Sequence, residues 1–420
     1  MKKNIDIKIN MEQFDISDLG FLPSKCVNRL PKSFEFLNEI VENLPETVSG
    51  NQFRKYFDSL PEYKVNLHYI TDLDDSECKY MYSVLCMIMN RYIWCTGVKD
   101  AQNYSNIPQI IGIPLYQVSQ RLGISLSLTH SAVNLWNWII KTKEFNLDNI
   151  EVINTMTGNE SESWFYKVMI AIEGNGGKML KEILEMNEVS DIEKPASFTL
   201  SLLNLSNNIN VSTKIIKRMY EKCDTNFFFN NLRIYLSGSD NDNLPKGIQI
   251  DLSSIGKDML CVKYKGGSAA QSSLIQVYDK LLGIKHNKSK DFLIEMHNYM
   301  PNAHKQYLNA IKPIDSYVLH AQDRELTDAY NKCIFSLENF RKSHLSLVKH
   351  YIMRHIKPKI NQDNNAHGTK GSGGTDPINF LSEIINNTKS SNVLIRNNNS
   401  TMLFWLLLLL LGVIVFKLIM

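Results

Sequence analysis

The most informative part of the chain is the stretch Gly266-Gly267-Ser268-Ala269-Ala270-Gln271-Ser272-Ser273, which passes directly into Leu274-Ile275-Gln276-Val277-Tyr278-Asp279-Lys280-Leu281-Leu282-Gly283. Glycine, serine and alanine carry little side chain, so the backbone of the first half can approach a flat ligand closely. In the second half, apolar residues at positions 274, 277, 278 and 281 repeat at helical spacing. The stretch therefore predicts a rigid loop of small residues that opens a helix packed into a core.

Two further segments lie at a fixed order around this loop. Upstream the chain reads Phe228-Phe229-Asn230-Asn231-Leu232-Arg233-Ile234-Tyr235-Leu236-Ser237-Gly238, and downstream it reads Phe340-Arg341-Lys342-Ser343-His344-Leu345. Taken together, the three segments resemble the indoleamine 2,3-dioxygenase family of haem enzymes, which oxidise tryptophan. The resemblance spans most of residues 105 to 385, in order and at the family's spacing.

Composition sets the broad class of the chain. With 420 residues and 44% hydrophobic side chains, the chain is long enough for two domains with buried cores. The net charge of +3 is too small to imply a nucleic-acid partner. The one basic cluster is interpreted as a solvated loop, and it consists of Lys285, His286, Lys288 and Lys290.

The seven cysteines form no CxxC pair and show no zinc-ligand spacing. Reduced thiols in a cytosolic compartment are the simplest interpretation. The N-terminus lacks the apolar run of a secretory signal peptide.

The C-terminus carries an apolar run. Residues 402–416 include no polar side chain, and the run continues past Lys417 to the end, which is close to the length that spans a bilayer. We therefore expect a transmembrane tail anchor at 402–420 on a polar tether at 386–401, with a buried core helix as the alternative. The expected location is the cytosolic face of the mitochondrial outer membrane or the endoplasmic reticulum.

Helical periodicity dominates the chain, which predicts an all-α fold. Amphipathic stripes occur at 34–44, 80–94, 135–143, 165–172 and 326–352, and weak alternation allows strands at 247–251 and 259–264. A polar, turn-rich stretch places a boundary near residue 155, which separates a small N-terminal domain (1–155) from a larger helical domain (156–385). Within the larger domain we expect a mobile loop at 357–375, and then a helix capped by Asp376 that runs through Ile385.

His344 stands in the middle of an apolar stripe on the predicted 326–352 helix. From the residues alone it is either a core histidine satisfied by hydrogen bonds or a metal ligand. The resemblance implies that it is the proximal ligand of the haem iron. The other nearby histidines are assigned to the surface (His350 and His355) or to a polar helix end and turn (His297 and His304).

The resemblance also implies the remaining haem contacts. Arg341 lies three residues before His344 on the same helix face and would offer its guanidinium to a haem propionate. Asp279 matches the family's acidic partner for that arginine, although an ordinary ion pair between two helices would look the same. Gly267 and Phe165 are expected to contact the haem, and the N-terminal domain is expected to cover its distal side.

For the substrate, the resemblance implies that Arg233 binds the carboxylate of tryptophan while Phe228 and Phe229 wall the indole ring. Without the match, the phenylalanines would be taken as core packing. Ser268 and Ala269 match residues over the haem plane. Ser372 falls where the family's mobile lid presents a hydroxyl group.

Four positions depart from the family pattern. Ala270 replaces a frequent glycine, Ser239 a frequent tryptophan, His130 a usual tyrosine, and Met169 a usual small hydroxyl residue. His130 thereby becomes a candidate distal modulator that would hydrogen-bond bound dioxygen. No side chain is expected to act as a base, because the electron-rich indole is itself the nucleophile.

The resemblance implies a dioxygenase that uses haem b, ferrous in its active form, and a reductant whose identity the sequence does not give. It would open the indole ring of L-tryptophan with O2 to give N-formylkynurenine, the first step of the kynurenine pathway toward NAD. Two alternatives remain open at this stage. One is a weakly catalytic haem-binding or signalling relative with an altered distal pocket, and the other is a non-enzymatic helical scaffold at a membrane surface.

Overall fold

A computed structural model describes residues 10–45, 50–59, 70–142, 144–188, 195–356 and 374–394. Helices of eight residues or more dominate it, as the sequence predicts. They are α1 (Glu35–Glu42), α2 (Gly50–Ser59), α3 (Asp75–Trp94), α4 (Gln109–Leu122), α5 (Glu160–Gly177), α6 (Leu180–Glu188), α7 (Pro195–Lys217), α8 (Ser273–Leu281), α9 (Asn302–Ala310), α10 (Arg324–Tyr351) and α11 (Pro377–Lys389).

Shorter helical segments connect these helices. The α-helical ones are Met219–Lys222, Thr225–Phe227, Arg233–Tyr235, Lys290–Glu295 and Asp315–Ala321. Single 3-10 turns occur at Met11–Phe14, Lys32–Phe34, Ala101–Tyr104, Ser253–Ile255, Ala269–Gln271, Met296–Tyr299 and Met353–His355. Two segments, Ser131–Leu135 and Phe228–Leu232, are π-helical, a wide turn that is often found at functional sites.

The described chain also contains two small sheets, so the all-α prediction is correct only in its main feature. In one sheet, β1 (Asn106–Ile107) pairs in parallel with β4 (Ile248–Ile250), which pairs antiparallel with β5 (Leu260–Val262). In the other, β2 (Trp138–Ile140) pairs antiparallel with β3 (Ile150–Val152). The expected strands at 247–251 and 259–264 are confirmed as β4 and β5.

The long helix α10 organises the larger part of the core. Asp323 caps its first turn by accepting a hydrogen bond from the backbone N–H of Leu326 at 2.9 Å. Its apolar side packs along α7 and α11, and α7 in turn packs against α5. Leu326, Tyr330 and Leu337 are fully buried on this side, which confirms the stripe predicted at 326–352.

The helix predicted at 135–143 is wrong, because the chain leaves the helical conformation after Leu135. Asn137 causes this change: its side-chain oxygen accepts from the backbone N–H of Asn154, and its amide donates to the carbonyl of the same residue, both at 2.9 Å. These two bonds align the segments on either side as β2 and β3. The apolar residues that suggested a helical stripe lie instead on or next to the short strand β2.

The small-residue loop that begins at Gly266 packs closely against another segment of the chain, around Leu236 and Gly238. A side chain on Gly266 would lie 2.2 Å from the carbonyl oxygen of Leu236, and one on Gly238 would lie 2.2 Å from the backbone nitrogen of Gly266. The backbone N–H of Gly267 donates to Leu236 O at 3.1 Å. Gly266 is therefore required where two loops pass each other, and not where a ligand approaches.

The membrane localisation predicted from the C-terminal run is corrected. Among the helices of the described ranges, none combines the length and the apolar character that crossing a bilayer requires. The long helix α10 carries charged residues throughout, and α7 is rich in asparagine and serine. The run itself, at 402–420, and most of its tether lie outside the described residues.

Candidate functional site

A cavity with a volume of about 260 Å³ lies between α5, α8, α10, α11 and the two π-helical segments. Apolar side chains form most of its wall. Of the residues that the sequence assigned to the site, those on the cavity wall are His130, Phe165, Phe228, Arg233, Gly267, Ser268, Ala269, Asp279, Arg341 and His344. Ser372 and most of the expected mobile loop lie outside the described residues.

His344 borders this cavity from α10 and is half-buried. Within the described ranges, no residue makes a hydrogen bond with either nitrogen of its ring. Burial, reinforced by the positive charge of Arg341, lowers the pKa of His344 to about 4, so the imidazole is neutral at physiological pH. A neutral imidazole with a free nitrogen lone pair beside an apolar cavity is the donor that haem iron takes in many proteins. The residues present therefore fit a haem.

Arg341 is buried beside His344 and connects three helices. Its guanidinium donates to the Asp279 carboxylate on α8 and to the Thr388 hydroxyl on α11. Burial alone would raise the pKa of Asp279, but the charge of Arg341 and the contact with His286 outweigh it, and the pKa is lowered. The pair expected between Arg341 and Asp279 is thus present, and both residues also face the cavity.

The basic cluster is less exposed than the sequence suggested. Nε2 of His286 lies 3.1 Å from Oδ2 of Asp279, with a side chain only 7% exposed, although the approach is not aligned for a hydrogen bond. His304, which was assigned to a polar turn, is fully buried against Phe21 at a ring-centroid distance of 4.3 Å. Both positions depend on packing between distant segments.

Phe228 and Phe229 of the upstream segment lie in different surroundings in the structure. Phe228 is buried on the cavity wall, where its ring lies 5.2 Å from that of Phe165 and 5.5 Å from that of Tyr351. Phe229 is not among the residues that line the cavity. Its ring stacks on that of His355 with the ring centroids 5.1 Å apart. The guanidinium carbon of Arg233 lies 5.3 Å from the centroid of the Phe229 ring.

Arg233 itself faces the cavity, and burial lowers the pKa of its guanidinium from the usual value. The half-buried guanidinium offers a planar pair of donors to an anionic group that enters the cavity. Its place on the short helix that follows the π-turn at Phe228–Leu232 brings it to the same side as Phe228. The arrangement suits a ligand that carries a carboxylate next to an aromatic ring.

The small-residue loop presents Gly267, Ser268, Ala269 and Ala270 to the cavity. Its conformation is fixed from behind, because Gln271 donates to Gly266 O at 2.9 Å and accepts from the backbone N–H of His130 at the same distance. Ser239, where the family frequently has tryptophan, uses its hydroxyl to accept from the Tyr264 backbone N–H at 2.9 Å.

His130 is part of a buried polar group that sequence reasoning did not anticipate. Its Nε2 lies 2.9 Å from Oε1 of Glu173, and its Nδ1 lies 3.0 Å from Nδ2 of Asn134. Ser272 also donates to Oε1 of Glu173, at 2.6 Å. Glu173 and Asn134 both border the cavity. A signal for Glu173 was present in the sequence, since it follows Phe165 and Met169 at four-residue intervals on one helix face.

Helix α11 covers one side of the cavity with Pro377, Phe380, Leu381 and Ile384. Its start at Pro377 with Asp376 as the N-cap is confirmed, and it runs four residues further than predicted, to Lys389. The extra turn carries Thr388, so the added length is what attaches α11 to Arg341.

Comparison with known proteins places this geometry in context. A sequence model of the family described as "Indoleamine 2,3-dioxygenase" matches residues 10–391. The chain is 28% identical to indoleamine 2,3-dioxygenase 1 of Rattus norvegicus, over 91% of this chain and 95% of the rat protein. It is 32% identical to indoleamine 2,3-dioxygenase of Saccharomyces cerevisiae, over 89% of this chain and 84% of the yeast protein. It is also 30% identical to a protein named myoglobin from Haliotis madaka, over 91% of this chain and 98% of that protein.

Proposed function

This chain belongs to the indoleamine 2,3-dioxygenase family, and from that premise we propose that it opens the indole ring of L-tryptophan with O2 to give N-formylkynurenine. It is an oxidoreductase, and its cofactor is haem. The observation that carries the proposal is the neutral, unpartnered imidazole of His344 on the wall of an apolar cavity that Arg233 and Phe228 also line.

In this proposal His344 holds the haem iron as its proximal ligand. Arg341, kept in place by Asp279 and Thr388, interacts with a propionate, and Gly267 and Phe165 contact the ring system. The haem supplies the redox-active iron that makes dioxygen reactive toward the indole. The protein itself supplies binding, orientation and an environment from which water is excluded.

The substrate is held at its two chemically distinct ends. Arg233 pairs with the carboxylate through a charge-assisted interaction of its half-buried guanidinium. Phe228 packs against the indole. Phe229 does not reach the substrate, but its ring contacts the guanidinium of Arg233 and holds it in position. Ser268 and Ala269 line the cavity without bulk. Ser372 keeps its proposed role as the hydroxyl of the lid.

We further propose the division of the chain near residue 155, with the N-terminal part covering the distal side of the haem. His130, Val133 and Asn134 reach the cavity from that part of the chain. From the C-terminal part of the chain, α11 lines the cavity with the apolar residues Pro377, Phe380, Leu381 and Ile384.

The decisive test is a product assay on haem-loaded, chemically reduced protein with L-tryptophan and O2. Formation of N-formylkynurenine, followed by its absorbance and by mass spectrometry with labelled O2 that places both oxygen atoms in the product, is the expected result. Protein that takes up haem and binds L-tryptophan but gives no product would overturn the proposed reaction.

That negative result would favour a second candidate, a haem-binding relative with little turnover. One observation favours it: a relative named myoglobin is 30% identical over nearly its whole length.

A further inference from the structure

The polar corner of the cavity, which we define as His130, Asn134, Glu173 and Ser272, carries more acceptors than donors. Each of the four side chains is buried, and Glu173 and Asn134 are each only 3% exposed. Three hydrogen bonds link them in a chain from Asn134 through His130 and Glu173 to Ser272. The balance of donors and acceptors decides what this corner can bind.

The two carboxylate oxygens of Glu173 differ in the hydrogen bonds that they accept. Its Oε1 accepts two hydrogen bonds, from Ser272 Oγ at 2.6 Å and from His130 Nε2 at 2.9 Å. No residue in the described ranges donates to Oε2. Oε2 is not fully enclosed by protein, and Glu173 borders the cavity, so a donor on a ligand can pair with this oxygen.

Asn134 repeats this pattern. A carboxylate only accepts, so Nε2 of His130 carries the shared proton, and Nδ1 then accepts from the amide of Asn134. This leaves Asn134 Oδ1 buried and without a partner among the described residues. It also occupies both nitrogens of His130, so the imidazole has no donor left for bound dioxygen. In this arrangement His130 positions the side chains of Glu173 and Asn134.

Glu173 lies beside the aromatic part of the cavity. Phe165, Met169 and Glu173 follow one another at four-residue intervals on α5, which puts them on one helix face, and all three border the cavity. An indole ring that packs against Phe165 and Phe228 would therefore lie near the carboxylate of Glu173.

We propose that Glu173, with Asn134 beside it, is a specificity-determining residue that selects substrates with a hydrogen-bond donor on the indole ring. This inference rests on the proposed function and names what that site recognises. Two donors have the required chemistry: the ring N–H of tryptophan itself, and a hydroxyl group on the benzene half of the indole. A site that buries acceptors for such a donor rejects an analogue that lacks it, because the acceptors then stay unpaired.

The test compares L-tryptophan, 1-methyl-L-tryptophan and ring-hydroxylated L-tryptophans on the haem-loaded full-length protein. Equilibrium dialysis on the ferric form gives Kd without turnover, and kcat/KM is measured on the reduced form. The wild type is expected to favour a donor-bearing ligand over the methylated one by about 10- to 100-fold. Equal affinity for all three would overturn the proposal while leaving the proposed reaction intact.

Glu173→Gln is the informative variant, because the amide keeps one oxygen for Ser272 and His130 and places an N–H₂ donor where Oε2 was. The preference should fall at least about fivefold, with the haem Soret band unchanged. Loss of the preference for L-tryptophan identifies the ring N–H as the donor, and loss of a preference for a hydroxylated substrate identifies the hydroxyl.

Glu160→Gln is the matched control, since it makes the same change in the first turn of α5 at an exposed ion pair with Lys222. Its selectivity should equal that of the wild type. An undiminished preference in Glu173→Gln would overturn the proposal. Absence of product from every substrate, with normal ligand affinities and selectivity, would instead count against the proposed function alone.

Discussion

Thr388 on α11 accepts a hydrogen bond from the guanidinium of Arg341 on α10, one turn before His344. The Thr388 side chain is fully buried, and its hydroxyl donates a hydrogen bond to the carbonyl of Ile384 at 2.7 Å. The helix that covers the cavity is thus tied to the residue that we propose to hold a haem propionate.

Thr388→Val keeps the shape of this side chain and removes its hydroxyl. A buried N–H of Arg341 is then left without a partner, which costs about 1–3 kcal/mol. Hydrogen exchange of the amides in α11 should become faster, as followed by mass spectrometry. Ser390→Ala is the control, because that exposed hydroxyl only bonds to Asn386 O. Unchanged exchange in Thr388→Val would show that this contact does not hold the helix.

His344→Ala should abolish most haem incorporation, because the cavity wall then lacks the imidazole that we propose as the iron ligand. The measurement is the Soret absorbance per protein after reconstitution. His350→Ala is a matched control on the same helix, where the ring packs on Tyr220 and Tyr351 and does not border the cavity. Full Soret absorbance in His344→Ala would disprove the ligand assignment.

Arg233→Ala should weaken L-tryptophan binding while haem content stays normal. A hydrogen bond to a charged partner contributes about 1.5–3 kcal/mol, which predicts an increase in Kd of roughly 10- to 150-fold. Lysine should restore little of it, because it lacks the planar pair of donors. Arg218→Ala, at an exposed ion pair with Asp148, serves as the control. An unchanged Kd in Arg233→Ala would remove this residue from the substrate site.

Gly266→Ala should destabilise the protein by about 2 kcal/mol or more, because the added carbon would lie 2.2 Å from Leu236 O and two backbone segments must move apart. Gly256→Ala separates this effect from backbone strain. Gly256 has a φ of +70° with nothing within 4 Å, so its substitution costs only about 1–2 kcal/mol. Denaturant midpoints compare the two variants, and equal losses would refute the close-approach argument.

His304 should make stability fall on mild acidification. Burial lowers the pKa of its ring well below 6.5, so the unfolded chain binds this proton first as the pH drops. Its contribution is fully present above about pH 6.5 and is progressively lost below that value. Between pH 7.5 and 5.5 the wild type should therefore lose about 1.4 kcal/mol more than His304→Leu. Urea unfolding at both pH values measures this difference, and parallel losses would contradict it.

Some of the fold followed from the sequence because periodic burial is a local property. The stripe from Leu326 to Tyr351 repeats over several turns, so one helix face is apolar whatever packs against it. The segment at 135–143 failed because two hydrogen bonds between Asn137 and Asn154 decided it, and no local pattern encodes a pairing over 17 positions.

The sequence by itself determined the family, the helical class and the position of His344, since these depend on residue identity and on spacing within single segments. Tertiary structure alone decided which side chains meet. Glu173 reaches His130 across 43 positions and Thr388 reaches Arg341 across 47. It also turned Phe229 away from the cavity that Phe228 lines. The physical reason is that helical spacing fixes the face on which a side chain lies, whereas the partner on that face is set by the packing of distant elements.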